Sequence, residues 1–173
     1  MKTFSAHWRR LRWSLWVLLM LSSCGYHLVG QGGASAIPAE VHSLSIVGNA
    51  DASLVALLRP RLTSTDYQLL NEADSVLDLH HHALLHLQMS GLDFRPSAYD
   101  LSGIASQYRM VVAGRLMLEM DGKTLWQSGS LQRQGDIYVT GGPASIEASR
   151  SRLLRDLQKQ WVSDAIGRLR SGF

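Results

Sequence analysis

The stretch that most narrows the choice of folds is 106–120, where Tyr108, Met110, Val112, Leu116, Leu118 and Met120 alternate with a second set that includes Arg109, Arg115 and Glu119. Side chains two apart share one face of a strand, so this period predicts a long strand with one face in a core and the other turned outward. Asp121-Gly122 follows, the favoured pair for a two-residue hairpin turn, and the chain is expected to return antiparallel over 123–138 with Leu125, Trp126, Leu131 and Ile137 as its apolar members. A sheet with one apolar face needs a second layer to cover it.

Two segments have the period of helices. After Gly141-Gly142-Pro143, the residues Leu153, Leu154, Leu157, Trp161, Ala165, Ile166 and Leu169 recur mostly three or four apart to the C-terminus. Near the start, 41–47 alternates like a half-buried strand, Gly48-Asn49 reads as a turn, and Asp51 is placed to cap a helix over 53–63. Leu54, Leu57, Leu58 and Leu62 form its stripe, and Pro60 is expected to kink or shorten it. Between these lie a short strand at 67–70, a loop at 71–74, and an alternating strand over 82–94 with Leu85, Leu87 and Met89 on one face and Gly91 marking a bulge. A hairpin loop over 95–103 is expected from Pro96, Tyr99, Asp100 and Ser102. The order β–α–β–β–β–β–α predicts an α+β fold: a mostly antiparallel sheet of four to five strands with two helices packed on one face.

The first two dozen residues belong to a different problem. Lys2, Arg9, Arg10 and Arg12 precede the uncharged run Trp13 to Leu21, a signal peptide's basic region followed by its apolar region. Nine residues are about half of the ~20 that a membrane-spanning helix needs. Leu21-Ser22-Ser23-Cys24-Gly25 resembles the lipobox of bacterial lipoproteins, and Cys24 is the only cysteine, so it has no disulfide partner. The expected organisation is a cleaved signal over 1–23, a lipidated flexible tether over 24–39, and a single domain over 40–173. Cys24 is expected to carry a diacylglyceryl group and an N-acyl chain, and no other cofactor is expected. Resemblance to proteobacterial lipoproteins implies that Gly25, where an aspartate would favour the inner membrane, directs the chain to the outer membrane.

Removing the signal changes the charge. The whole chain carries 17 Lys and Arg against 14 Asp and Glu, but from Cys24 onward the balance is 13 against 14. A nucleic-acid partner implied by the basic total is therefore not expected. Catalysis is not expected either: there is no Gly-x-Ser-x-Gly elbow, no phosphate-binding glycine loop and no His-Glu-x-x-His pair. His80, His81, His82 and His86 are the most conspicuous titratable cluster. On a strand His80, His82 and His86 share a face but spread over roughly 20 Å at ~3.3 Å per residue, so they cannot close on one ion, and a solvated polar face is expected. Arg95 in the expected loop, and Arg150, Arg152 and Arg155 on the terminal helix, could pair phosphates through guanidinium forks. Of the aromatics Tyr99, Tyr108, Tyr138, Trp126 and Trp161, which could form a partner surface, the two tryptophans are expected in the core.

Several of these pieces resemble one family. The lipobox followed by Cys24-Gly25-Tyr26-His27-Leu28, Ile37-Pro38 ahead of the first strand, the Ser106-Gln107-Tyr108-Arg109-Met110 strand and the leucine-rich terminal helix are similar to the outer-membrane LPS-assembly lipoproteins, LptE. The resemblance implies a non-enzymatic lipoprotein that plugs a very large outer-membrane β-barrel, the lipopolysaccharide (LPS) translocon, assists its assembly and binds LPS on the way to the cell surface. It places the family's basic position of the last helix at or near Arg150. The family's basic loop residue has no counterpart in 99–106, the nearest being Arg95. A different class, a freestanding periplasmic pilot or chaperone lipoprotein for a secretion or envelope complex, fits the same anchor and the same lack of catalytic groups.

Overall fold

A computed structural model of the chain describes residues 35–71, 74–76 and 78–172. The signal segment, Cys24, the Cys24-to-Leu28 motif and most of the expected tether lie outside the described residues. The elements are β1 (Ser43–Gly48), α1 (Ala52–Leu58) continued by a 3-10 turn (Arg59–Arg61), β2 (Gln68–Leu70), β3 (His82–Tyr99), β4 (Ala105–Met120), β5 (Lys123–Gln127), β6 (Leu131–Tyr138) and α2 (Pro143–Ser171). Among the described residues the fold is α+β with two helices, as the patterning predicts, and its sheet is open and mixed.

β4 organises the sheet. Its even face is buried as expected, with Met110, Leu116 and Leu118 fully inaccessible and Val112 nearly so. One edge pairs antiparallel with β3 along almost its whole length. The other edge serves two strands in tandem: β5 pairs Met117 to Met120 and β6 pairs Gln107 to Gly114. The sheet therefore has six strands, because the expected single return strand over 123–138 is broken at Ser128-Gly129-Ser130. Gly129 takes a left-handed φ of 67°, and the Ser128 hydroxyl accepts the Leu116 N–H at 3.0 Å in place of a ladder carbonyl.

β1 corrects the sheet in a second respect, since it runs parallel to both β2 and β3. Its end is fixed by Gly48, whose φ is +144° and at which a Cβ would fall 2.0 Å from the Leu87 carbonyl oxygen. The neighbouring Asn49 then imitates a strand residue: its amide donates to Met89 O at 3.0 Å and its carbonyl oxygen accepts Met89 N–H at 2.7 Å. The third correction concerns the hairpin loop expected over 95–103. β3 continues to Tyr99, so Arg95 and Pro96 are strand residues, and the connection shrinks to 100–104, where the Asp100 carboxylate accepts the N–H groups of Ser102 and Ile104. Pro96 is tolerated because, among the described residues, no strand pairs the outer edge of β3 there. The expected bulge at Gly91 is present, with a register shift between Met89 and Leu92.

Both helices cover the same face and share one core with β1, β3 and β4. Asp51 caps α1 by accepting Leu54 N–H at 2.9 Å, and Leu54, Leu58 and Leu62 are buried although Pro60 turns the last part into 3-10 geometry. α2 starts at Pro143, ends at a left-handed Gly172, and buries Leu157, Trp161, Val162, Ala165, Ile166 and Leu169. Trp161 is fully buried and its indole donates to Leu131 O at 3.1 Å, so it satisfies its polar atom inside the core. Trp126 packs at the core margin. Leu153 lies over Gly135 of β6, where a Cβ would approach its δ-carbon to 2.7 Å. Ala36 and Ile37, within the stretch read as tether, pack on the core, and Ala36 N–H bonds to Leu169 O at 2.9 Å.

Replacing Gly48 by Ala should destabilise the domain by about 3 kcal/mol or more, combining positive-φ strain with a backbone clash; a denaturant midpoint within error of the wild type contradicts that geometry. The Ser53 hydroxyl, and next the Leu54 N–H, hold the Asp51 carboxyl below its ordinary range. A depressed folded value stabilises above the unfolded pKa of about 3.9 and is lost as pH falls through the folded value. Asp51→Ala should accordingly cost about 1 kcal/mol near neutrality and much less in strong acid, measured by urea titration.

Candidate functional surfaces

The arginines expected to meet phosphate do not converge. Arg150, in the third turn of α2, sits with its guanidinium carbon 5.1 Å from the Phe94 ring centroid, and Phe94 in turn stacks on Tyr108 across the strand pair at 5.1 Å. Its nearest carboxylate is Glu147 at 3.3 Å. Arg95 follows Phe94 directly and, by strand alternation, points to the opposite face, where its Nε stands 3.4 Å from Asp93. Arg152 is exposed two positions beyond Arg150, roughly 200° further round the helix. Each is a separate cation rather than one corner of a single anion pocket. Phe94 and Tyr108 fall on expected strands, but only the strand register stacks them and only the helix crossing brings Arg150 over Phe94.

The histidines also disperse. His82 is buried rather than solvated: its Nδ1 lies 2.8 Å from the Ser43 hydroxyl, and burial pushes its pKa down. His86 Nε2 is 3.1 Å from Glu119 on β4 but off the axis of a good hydrogen bond, and His80 Nδ1 is 3.6 Å from Asp121. His81 alone turns toward another histidine, His42, in front of β1. The outward face of β4 adds a forked pair, Arg109 on Asp136 of β6 at 3.0 and 3.4 Å, which holds the carboxyl below its usual range. Arg133 pairs Asp164 of α2 and ties the helix to the sheet margin.

Two apolar features stand apart from these charges. At the β3–β4 tip Tyr99, Leu101 and Ile104 are exposed. At the other end of the sheet a cleft of about 630 Å³ is walled by Val41, Leu62, Ile166 and Leu169 and edged by Arg61 and His42. Within it Tyr67 donates its hydroxyl to Leu62 O at 2.6 Å, and burial raises its pKa. Among the described residues no helix is long and apolar enough to cross a membrane.

This α+β arrangement is shared with a class of bacterial lipoproteins. The chain is similar to the rare lipoprotein B of Shewanella oneidensis, with a TM-score of 0.53 and 16% identity over 74% of this chain and 90% of that one. It is similar to a lipoprotein B of Nitrosomonas europaea, with a TM-score of 0.60 and 16% identity over 82% and 89%. A minor lipoprotein of Acinetobacter baumannii matches with a TM-score of 0.55 and 14% identity over 76% and 92%. At these identities the likeness is one of fold. No family model and no curated protein matches the sequence.

If Arg150 contributes only a surface cation–π contact, worth about 0.5–1 kcal/mol, Arg150→Gln should lower the urea midpoint slightly without changing the slope of the transition. A loss above about 2 kcal/mol would show that the stack organises more of the core than the contacts indicate.

Proposed function

We propose that this chain is an outer-membrane lipoprotein that plugs and assists the assembly of the large β-barrel LPS translocon and binds LPS during its transport to the cell surface. The observation that carries the reading is the coincidence of two independent features: a lipobox ending in the single Cys24, and a domain whose fold matches lipoproteins of the lipoprotein B type over most of their length. The diacylglyceryl and N-acyl chains on Cys24 supply the anchor, each buried CH₂ contributing about 0.8 kcal/mol, which is stable with several chains and marginal with one. The domain works by binding rather than by catalysis.

In this reading Arg150 and Arg152 on one side of the sheet and Arg95 on the other are the cations offered to LPS phosphates. Their separation suits an extended polyanionic surface better than a single phosphate. Tyr99, Leu101 and Ile104 at the hairpin tip add apolar contact to the barrel or to acyl chains.

The deciding experiment is purification of the tagged chain from detergent-extracted envelopes. A large outer-membrane barrel should accompany it, and depletion should reduce surface LPS. Purification without any barrel, or intact surface LPS together with a failed secretion system, refutes the proposal and favours a pilot lipoprotein. Cys24→Ala should move the protein from the membrane to the soluble periplasmic fraction, and charge removal at Arg95, Arg150 and Arg152 together should weaken LPS capture.

A further inference from the structure

His42 and His81 are 39 positions apart in the sequence and adjacent in space, because β1 and β3 run parallel with Ser43 opposite His82. The His42 N–H bonds to His81 O at 2.9 Å, which fixes the spacing of the two backbones. Their imidazoles stack at 4.6 Å between centroids with planes 14° apart. A carboxylate completes the group: Asp78 Oδ2 lies 2.7 Å from His81 Nδ1, while its other oxygen accepts the His80 backbone N–H at 3.1 Å and so is aimed from behind. One ligand atom from each of the three side chains lies within 4.8 Å of the others.

We propose that His42, His81 and Asp78 form a binding site for a divalent transition-metal ion of the zinc class. Two imidazole nitrogens and one carboxylate oxygen suit borderline ions such as Zn(II), Ni(II) or Cu(II), whereas Ca(II) and Mg(II) require mainly oxygen. Metal–ligand bonds of about 2.0–2.2 Å place neighbouring ligand atoms roughly 3.4 Å apart in a tetrahedron, so a pair at the 4.8 Å limit closes on binding while the 2.7 Å His81–Asp78 pair opens. The three side chains can give that movement: His81 and Asp78 are 41% and 51% exposed, and His42 is also at the surface. Coordination replaces the His81–Asp78 hydrogen bond. The imidazole nitrogens donate lone pairs as neutral rings, and a proton held on His81 Nδ1 passes to solvent or to Nε2.

A site built this way is a clasp. It joins the starts of β1 and β3 to the segment before β3, next to the cleft that His42 edges. The bound ion stabilises the fold by mass action in proportion to how much more tightly the folded site holds it than the histidine run of the unfolded chain does. The inference is independent of the lipid and barrel reading, and either can fail alone.

The test uses the full chain, purified in detergent without a polyhistidine tag, stripped with a chelator and titrated with ZnCl₂ at neutral pH. One ion per chain should bind saturably and raise the melting temperature. His42→Ala and His81→Ala should each weaken binding by about tenfold or more, and Asp78→Asn should weaken it too. His80→Gln and His86→Gln should leave it unchanged, with circular dichroism confirming that each variant is folded. Absence of saturable binding overturns the proposal. So does binding that survives the His42→Ala, His81→Ala double variant, or that is lost equally in His80→Gln, since the histidine run would then be an adventitious chelator.

Discussion

Burial of one face of β4 is the constraint on which the other elements depend. Met110, Val112, Leu116 and Leu118 are removed from water only if helices cover that face, and the strand can be held flat for them only if both its edges are hydrogen-bonded. β3 takes one edge, β5 and β6 divide the other, and α2 lies across with Trp161 filling the space above Leu131. The division at Ser128 lets the chain use one strand edge twice. The Leu116 N–H, which neither β5 nor β6 reaches, is met by a side-chain hydroxyl at a buried position, where leaving it unpaired would cost about 1–3 kcal/mol.

What could be read in advance follows from what is local. Alternation along 106–120, the Asp121-Gly122 turn, the Asp51 cap and the leucine spacing of the last helix each involve residues within a turn or two of one another, and each is present. Pairing partners are not local. Nothing in 41–47 says that β1 will lie parallel to β3, so neither the mixed sheet nor the meeting of His42 with His81 could be deduced from periodicity. Ser128-Gly129-Ser130 are turn-forming residues, but the apolar pattern on either side reads as one strand and hides the break. The loop expected over 95–103 is too long for the opposite reason: Pro96 favours a loop on local grounds, and it fits a strand here because, among the described residues, no strand pairs the outer edge of β3 beside it.

The functional groups divide in the same way. Arg95, Arg150 and Arg152 are identifiable as residue types able to meet phosphate, yet the sheet separates Arg95 from the other two, and Arg150 already lies over Phe94, which stacks on Tyr108. The histidine run looked like one polar face and proved to be four environments, with His82 buried against Ser43, His86 beside Glu119, His80 near Asp121 and His81 against His42. A run of identical residues is thus read differently at each position, because adjacent side chains on a strand face different neighbours.

The reach of the β3–β4 hairpin sets a separation between unlike ends of the domain. β3 has 18 residues and, at ~3.3 Å each, would extend for roughly 60 Å. Ala36 is bonded to the last turn of α2 beside the start of β3, whereas Leu101 and Ile104 lie past its finish. The incoming chain and the apolar tip are therefore held apart by hydrogen-bonded backbone instead of by a fluctuating linker. Such a spacer can be lengthened only in discrete steps: because facing alternates, residues must be added to β3 and β4 two at a time, each step worth about 7 Å, or the core face turns outward.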